Sequence, residues 1–321
     1  MFSAAVGGFM YGVPAPAPAP PSSPTAGWYA GGSTPAPTPT YTSVTQRIIF
    51  ATDTATATTR GTLSGTRYNI AGAGTLSSGW IAGGKPANPG PRMSTVDRIT
   101  YATDTATASV RGPLSVARWG LAATSDNSTY GWFGGGYGPA PGTRSTVDRI
   151  TYDTDTVTAS GRGPLAAATY WLGATGTNTD GWFAGGNTPS VASSNVSRIT
   201  YATDTATATT KGPLSLARAQ IGASTDNSIY GWFAGGQGGY STVDRITYAN
   251  DTATATARGP LSVGRQRLAA STDYTYGWFG GGLNASTVVD RITYATDTAT
   301  ATARGPLAVA VFGHTGVSGI Q

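Results

Sequence analysis

The sequence predicts an all-β fold, a six-bladed β-propeller closed by strands from both chain termini. One unit of about fifty residues recurs six times, and a period of roughly 40 to 50 residues is typical of helical solenoids and of β-propellers. The chain has 16 tyrosines and 8 tryptophans but no glutamate and only two lysines, which disfavours helical repeats and favours pleated strands. The arginines that mark the six copies are Arg47, Arg98, Arg149, Arg198, Arg245 and Arg291.

The second copy shows how each unit divides into four strands. Residues 96–101 alternate in character and turn back as residues 106–110, which is the pattern of a β-hairpin. Pro113 then interrupts the ladder because proline has no N–H to donate, and residues 120–124 form the next strand. An Asp-Asn-Ser turn precedes a short apolar strand at residues 130–133. Four such strands make one propeller blade.

The two ends of the chain supply the parts of one blade. The last copy stops before its Gly-Trp-aromatic strand, and a spare copy of that strand lies near the N-terminus. We therefore expect residues 28–32 to pair with residues 309–318 and close the ring, which leaves fewer unpaired backbone groups at sheet edges. The predicted organisation is an extended N-terminal arm, residues 1–26, followed by one propeller, residues 27–321.

The repeat resembles the kelch-type β-propellers. In that family a Gly-Gly pair ends one strand, a tyrosine strand leads into a hairpin, and an arginine follows at a fixed distance. Gly83-Gly84, Tyr101 and Arg118 stand at these places. The resemblance extends over residues 27–321 and implies the kelch-like architecture but no particular activity, because one fold hosts many functions. Three residues depart from the family's usual Trp or Arg: Ala108, Thr169 and Val311.

The first 26 residues differ from the repeats. The alternating Pro-Ala stretch at residues 14–21 favours an extended polyproline II spacer of roughly 3 Å per residue. The segment before it has no positively charged n-region, which argues against a signal peptide, and no later run is long enough to predict insertion into a membrane. We interpret the segment as a docking arm, with a tail that has no role as the alternative. The apolar residues that a partner would bury are Phe2, Phe9, Met10 and Tyr11.

Few residues in the chain could carry out catalysis. There is no cysteine, and the one histidine, His314, lies in a strand-like run where a core or sheet-edge position is expected rather than a general base. Asp153 and Asp155 are close in sequence, but the second is the turn residue of every copy, which favours a structural role over general acid–base chemistry. One carboxylate per turn is a weak signal for calcium. We therefore predict no catalytic residue, no metal site and no cofactor.

Charge is modest and periodic. The net charge of +5 over 321 residues does not by itself indicate nucleic-acid binding, and no such binding is predicted. We expect the repeated arginines to form ion pairs within the scaffold rather than a basic stripe. The repeated Trp and Tyr share one phase of an apolar strand, which predicts packing between blades. The expected carboxylate partners are Asp97, Asp148, Asp244 and Asp290.

Strand order assigns the loops to two faces. In an antiparallel blade, the loops after Gly-Gly and the loops between blades share one face, whereas the Asp-Thr and Asp-Asn-Ser turns share the other. The loops after Gly-Gly differ between copies, and variable loops on a uniform scaffold are where binding usually resides, although neutral drift gives the same pattern. The residues predicted to bind partners on this face are Lys85, Arg92, Tyr137, Arg144, Tyr240 and Asn284.

The composition also suggests a function. Near-identical Thr- and Ala-rich copies with a Pro-rich arm resemble the virion structural proteins of tailed bacteriophages, especially tail fibre, neck and other appendage components. This resemblance implies a non-enzymatic virion protein, present in several copies, whose arm docks to other virion structural proteins and whose propeller serves host attachment through a surface glycan or a protein. The alternative is a microbial cell-surface or secreted binding propeller. An enzyme such as a kelch-like oxidase or a glycan lyase is a further, less favoured alternative, and the missing cysteine and single histidine argue against the copper-dependent kind.

Overall fold

The chain forms six four-stranded antiparallel sheets arranged as the blades of a propeller. This computed structural model describes residues 23–35, 39–284 and 287–319. Within each sheet the strand nearest the axis is followed outward by a second, a third and an outer strand, and neighbouring inner strands pack against each other round the ring. The predicted all-β fold and blade number are confirmed. The docking-arm residues Phe2, Phe9, Met10 and Tyr11 lie outside the described residues.

The elements of blades 1 to 6 have the same order and similar lengths. The inner strands are Thr315–Val317, Ala71–Gly74, Ala122–Ser125, Gly173–Gly176, Gly222–Thr225 and Ala269–Thr272. The second strands are Ala26–Ala30, Ser78–Ala82, Tyr130–Gly134, Asp180–Ala184, Tyr230–Ala234 and Tyr276–Gly280. The third strands are Val44–Ile49, Val96–Thr100, Val147–Thr151, Val196–Thr200, Val243–Thr247 and Val289–Thr293.

Each blade ends with a 3₁₀ turn and a short outer strand. The 3₁₀ helices are Phe50–Thr52, Tyr101–Thr103, Tyr152–Thr154, Tyr201–Thr203, Tyr248–Asn250 and Tyr294–Thr296. The outer strands are Thr58–Thr62, Ser109–Arg111, Ser160–Arg162, Thr209–Lys211, Thr256–Arg258 and Thr302–Ala303. Eight residues therefore separate each third strand from the outer strand of its blade, as between Thr100 and Ser109, which is a wider connection than a tight hairpin.

Strands from both termini close the ring, as the sequence predicted. The inner strand Thr315–Val317 pairs antiparallel with the second strand Ala26–Ala30, with Trp28 opposite Val317. An isolated bridge between Ser33 and Phe312 extends this pairing. Blade 1 is thus assembled from two segments that are nearly the whole chain apart, and it holds the ends of the ring together.

Three predicted strands have different bounds in the structure. Tyr101 begins a 3₁₀ helix instead of ending a strand, and the outer strand of blade 2 covers only Ser109–Arg111. The turn is wide because Asp104, which caps the 3₁₀ helix, faces the preceding blade rather than solvent. The inner strand of blade 3 begins at Ala122, since Gly120 before it has a φ of +66° that does not fit a strand.

The repeated turn aspartate holds neighbouring blades together. Asp204 of blade 4 is buried and accepts a hydrogen bond of 2.8 Å from the indole nitrogen of Trp132 in blade 3. The same oxygen accepts a 3.1 Å bond from Arg149 and lies 3.5 Å from Nε of Arg162. In every blade the equivalent tryptophan donates to the turn aspartate of the next blade, and the tryptophan of blade 6 donates to the aspartate of blade 1. The aspartates are Asp53, Asp104, Asp155, Asp204, Asp251 and Asp297.

The four predicted aspartates do pair with an arginine that recurs in the blades, but it is the later arginine of the repeat and not the one that opens each copy. The pairs are Arg67 with Asp97, Arg118 with Asp148, Arg218 with Asp244 and Arg265 with Asp290. Arg98 pairs with Asp155 of the next blade at 3.0 Å, not with Asp97 beside it in sequence. The reason is geometric, because adjacent residues of a strand point to opposite faces of the sheet. Asp97 instead meets a different arginine, Arg67, at 2.6 Å, with both side chains fully buried.

The tryptophans pack between blades, as predicted. Trp132 stacks on Tyr201 of the next blade with ring centroids 3.8 Å apart and an interplanar angle of 4°. Equivalent pairs run round the ring, and Phe50 replaces the tyrosine against Trp278, so that the cycle is complete. Each core cluster takes residues from two adjacent blades. The hydrophobic core is therefore a set of blade interfaces rather than one central cluster.

A buried Ser-Arg-Asp triad stabilises four of the six blades. In blade 3, Arg118 donates to Asp148 at 2.9 Å and to the carbonyl of Phe133, while the backbone and hydroxyl of Ser115 donate to the same carboxylate. Blades 2, 5 and 6 repeat the triad. In blades 4 and 1 all three members change together. The replacements are Ala166, Thr169 and Ser197 in blade 4, and Ala308, Val311 and Gln46 in blade 1.

Candidate binding site at the channel mouth

Two sets of loops meet on one face of the propeller, which we call the mouth face. Each linker that enters an inner strand lies beside the loop that follows the Gly-Gly pair of the same blade. Isolated bridges join them at Tyr68 with Lys85, and at Trp119 with Tyr137. The predicted distribution of loops over two faces is thereby confirmed.

A closed ring of backbone hydrogen bonds surrounds the mouth of the axial channel. The residue two positions before each inner strand donates its N–H to the carbonyl of its counterpart in the preceding blade, at 2.6–2.9 Å. All six residues have a left-handed conformation, with φ between 56° and 66°. The ring fixes six equivalent side-chain positions around one opening. They are Asn69, Gly120, Trp171, Gln220, Arg267 and Gly313.

The six positions share one backbone geometry but carry different side chains. Glycine adopts this conformation without strain and stands at two of them, whereas Trp171, Gln220 and Arg267 adopt it at a cost of about 1 kcal/mol or more each. Two of these side chains also have a buried polar atom without a hydrogen-bond partner among the described residues, Trp171 Nε1 and Gln220 Oε1. Strained residues with unsatisfied polar atoms are typical of functional sites.

Aromatic side chains cluster on one side of the mouth. Trp119 packs against Tyr137, Tyr170 and Trp171, with ring centroids 5.2–5.5 Å apart. Gly120 leaves room for this arrangement, since a Cβ on it would lie 3.0 Å from the indole of Trp171. All four aromatic side chains are partly exposed. The cluster occupies blades 3 and 4 and has no counterpart at the equivalent positions of blade 5, where Ala219 and Gln220 stand.

Three cations at the mouth lie over aromatic rings. Lys85 Nζ is 4.7 Å from the centre of Trp119, and the guanidinium of Arg92 is 5.3 Å from that of Tyr137. Arg267 lies 5.0 Å from the ring of Trp171. Burial, and secondly the charge of Arg92, lowers the pKa of Lys85, while burial lowers the pKa of Arg267. These shifts are in the direction expected for cations that lack a nearby carboxylate.

The unpaired cations of the described residues are all on the mouth face. Of the 20 lysines and arginines in the chain, 16 lie within 4.0 Å of an aspartate oxygen in the scaffold. The other four are Lys85, Arg92 and Arg267, which lie over aromatic rings at the mouth, and Arg144. The carboxylates outside ion pairs are in turns of the opposite face, at Asp126, Asp153, Asp226 and Asp273. The mouth face is therefore the positively charged end of the propeller.

The inner strands enclose a cavity of about 120 Å³ below the mouth. His314 lines it and is buried, as predicted, and this burial lowers its pKa to about 3, so the imidazole is neutral at physiological pH. Within the described residues, no three His, Cys, Asp or Glu side chains are grouped so that they could hold a metal ion. No helix in this part of the chain is long and apolar enough to span a membrane.

The structure brings together some of the predicted binding residues and separates others. Lys85, Arg92 and Tyr137 lie in one group beside Trp119. Arg144 is on the same face but donates to the carbonyls of Pro139 and Ala140 in its own loop. Two others lie farther round the face. Tyr240 lines a separate groove between blades 4 and 5, and Asn284 is exposed near Gly239.

Sequence reasoning missed the residues that enter the inner strands. The sequence did not predict binding by four of them, because the loops after Gly-Gly are longer and vary more between copies. The four are Trp119, Tyr170, Trp171 and Arg267. A signal was present, since the pair of residues that follows the Arg118-type position is different in every copy. These pairs are Tyr68-Asn69, Trp119-Gly120, Tyr170-Trp171, Ala219-Gln220, Gln266-Arg267 and Phe312-Gly313.

Comparison with known proteins identifies the architecture. No family model and no curated protein matches the sequence. Among solved structures, the chain is similar to one described as "Structure of YjhT", with a TM-score of 0.66 and 13% sequence identity. The similarity covers 90% of this chain and 99% of that chain. At this identity it shows the fold alone, which is a six-bladed β-propeller.

Proposed function

We propose that this chain is a non-enzymatic binding protein that displays the mouth face to a partner, and that it serves as a structural and adhesion component of a bacteriophage virion. The observation that carries the binding role is the ring of six left-handed positions at the mouth. Trp171 and Arg267 bear strain there that glycine would avoid, and neither contributes to the repeated blade interfaces. Strained side chains that lie outside the repeated core favour a role in binding a ligand.

The division of charge supports the same role. The scaffold uses its ion pairs to join blades, whereas Lys85, Arg92 and Arg267 are held on aromatic rings without a carboxylate. An exposed group of this kind is suited to bind an external molecule, since arginine and aromatic side chains dominate binding energy at interfaces. The neutral, buried His314 favours a binding role over a catalytic one.

The virion role is supported by composition. The kelch-type resemblance of residues 27–321 describes the scaffold, while the near-identical Thr- and Ala-rich copies and the Pro-rich arm are features of tail fibre and other appendage proteins. In this proposal residues 1–26 dock to other virion structural proteins and hold the propeller outward. The proposed partner of the mouth face is a host surface glycan or protein.

Removing residues 1–22 is expected to prevent incorporation into particles without changing the melting temperature, because these residues precede the first strand, Ala26–Ala30. The measurement is immunoblotting of purified particles assembled with the full or shortened chain, together with thermal denaturation of both proteins. The matched control replaces Phe2, Phe9, Met10 and Tyr11 by serine at full length, and the same loss is expected. Normal incorporation of both variants would contradict the docking role.

A further inference from the structure

We infer that the ligand of the mouth face is an anionic polysaccharide, whose acidic groups meet the cations held on the aromatic cluster and whose neutral sugar units enter the groove between blades 4 and 5. This inference rests on the proposed binding role and names the chemistry of its ligand. Such a ligand requires two adjoining surfaces on the protein, one that binds its acidic groups and one that binds its hydroxyl groups.

The first surface is a rigid anion receptor. Lys85 and Arg92 lie over Trp119 and Tyr137, and these two rings pack against each other. Ring contacts restrict the side chains before a ligand arrives, which reduces the conformational entropy lost on binding. Because no carboxylate of the described residues pairs with them, their charge is available to a ligand. Two cations on neighbouring rings suit a chain with repeated acidic groups better than a single small anion.

The second surface is a groove of about 300 Å³ whose exposed polar groups are uncharged. Its lining includes Tyr170 and Tyr240 together with the amide side chains of Asn187 and Gln237. Arg218 also lines it, but this side chain is buried and its charge is paired with Asp244 at 2.7 Å. The volume is at the lower end of that found for ligand pockets. Amides and phenols both donate and accept hydrogen bonds, as sugar hydroxyls do. The groove is therefore suited to a polar, uncharged part of the ligand.

Tyr170 joins the two surfaces. Its ring packs edge-on against Trp119 and Tyr137 of the anion receptor, and it also lines the groove. A ligand that uses both surfaces must be extended and must carry charged and uncharged parts. Acidic polysaccharides have this composition.

Single-stranded nucleic acid is disfavoured as the ligand. It binds through stacking of its bases on free aromatic faces, and the faces of Trp119 and Tyr137 carry cations.

The test measures binding of the full chain to polymers of similar length by biolayer interferometry. The probes are alginate, which is carboxylated, dextran sulfate, which is sulfated, neutral dextran and a thymidine oligonucleotide. We expect binding to at least one anionic polysaccharide, weakening as salt rises, and none to dextran. Replacing both Lys85 and Arg92 by alanine should weaken it at least about tenfold. Replacing both Asn187 and Tyr240 by alanine should weaken it without changing its salt dependence.

The control variant Asp153→Asn changes net charge by one at an exposed position of the opposite face, and binding should stay unchanged. Tighter binding of the oligonucleotide than of either acidic polysaccharide, equal binding of neutral dextran, or no binding of any polymer would each overturn the inference. Attachment of the full chain to host cells is measured in parallel. If the chain attaches to cells but binds no acidic polysaccharide, the ligand inference fails and the proposed function stands.

Discussion

Replacing Arg118 by threonine is expected to lower the free energy of unfolding by about 3–5 kcal/mol, because it leaves the carboxylate of Asp148 buried without its cation. Both side chains are fully buried, so water cannot take the place of the guanidinium. The carbonyl of Phe133 also loses its donor. Equilibrium unfolding in urea or guanidinium, followed by tryptophan fluorescence, measures the change.

The chain contains its own control for this prediction. Blade 4 has Ala166, Thr169 and Ser197 at the three triad positions, so the triple variant Ser115→Ala, Arg118→Thr and Asp148→Ser transplants a natural combination into blade 3. We expect the triple variant to be more stable than Arg118→Thr alone, since it removes the unpaired charge. If the triple variant were as unstable as the single variant, the joint replacement of the triad in blades 1 and 4 would need another explanation.

Deleting residues 1–32 is expected to destabilise the whole ring by more than about 5 kcal/mol, a large part of the stability of a typical domain. The deletion removes the strand that pairs with both Thr315–Val317 and Val44–Ile49. It also removes Trp28, which stacks on Tyr101 at 3.7 Å and donates to Asp104. Loss of one buried tryptophan alone costs about 3–5 kcal/mol. Thermal and denaturant unfolding report the difference.

The matched control for closure is deletion of residues 1–22, which leaves blade 1 whole. Pro24 and Thr25 are retained, since Pro24 is buried and the carbonyl of Thr25 accepts a hydrogen bond from Phe50. The shorter deletion should unfold at the temperature of the full chain. Equal destabilisation by the two deletions would place the effect in the arm and contradict the role of Trp28 in closing the ring.

The architecture could be predicted because it depends on repetition. Six copies of one strand pattern fixed the number of blades, and the missing strand at one end matched the spare strand near Trp28 at the other. The contacts of the turn aspartates could not be predicted in the same way. Asp204 meets Trp132 and Arg149, which lie in the preceding blade, and a repeat pattern does not show which copies supply the atoms of one contact.

Two features of the structure were not predicted although the sequence contains signals of both: the buried Ser-Arg-Asp triad and the residues at the channel mouth. Asp148 is 30 residues from Arg118 and 33 from Ser115 in the sequence. All three nevertheless change together in the copies that lack the arginine, which is a signal of contact. The mouth residues were missed for a different reason. Trp171 and Arg267 look like ordinary variation before a strand, and only the closed ring of backbone hydrogen bonds shows that they surround one opening.

The free energy of unfolding of Trp171→Gly tests the central claim most directly, which is that side chains at the mouth serve binding and not folding. Glycine suits the φ of +59° at this position, as it does at Gly120 and Gly313. We predict that the variant unfolds within about 1 kcal/mol of the wild-type chain, because relief of backbone strain offsets the lost ring contacts. A loss of about 3–5 kcal/mol, as for a tryptophan in the core, would contradict the account.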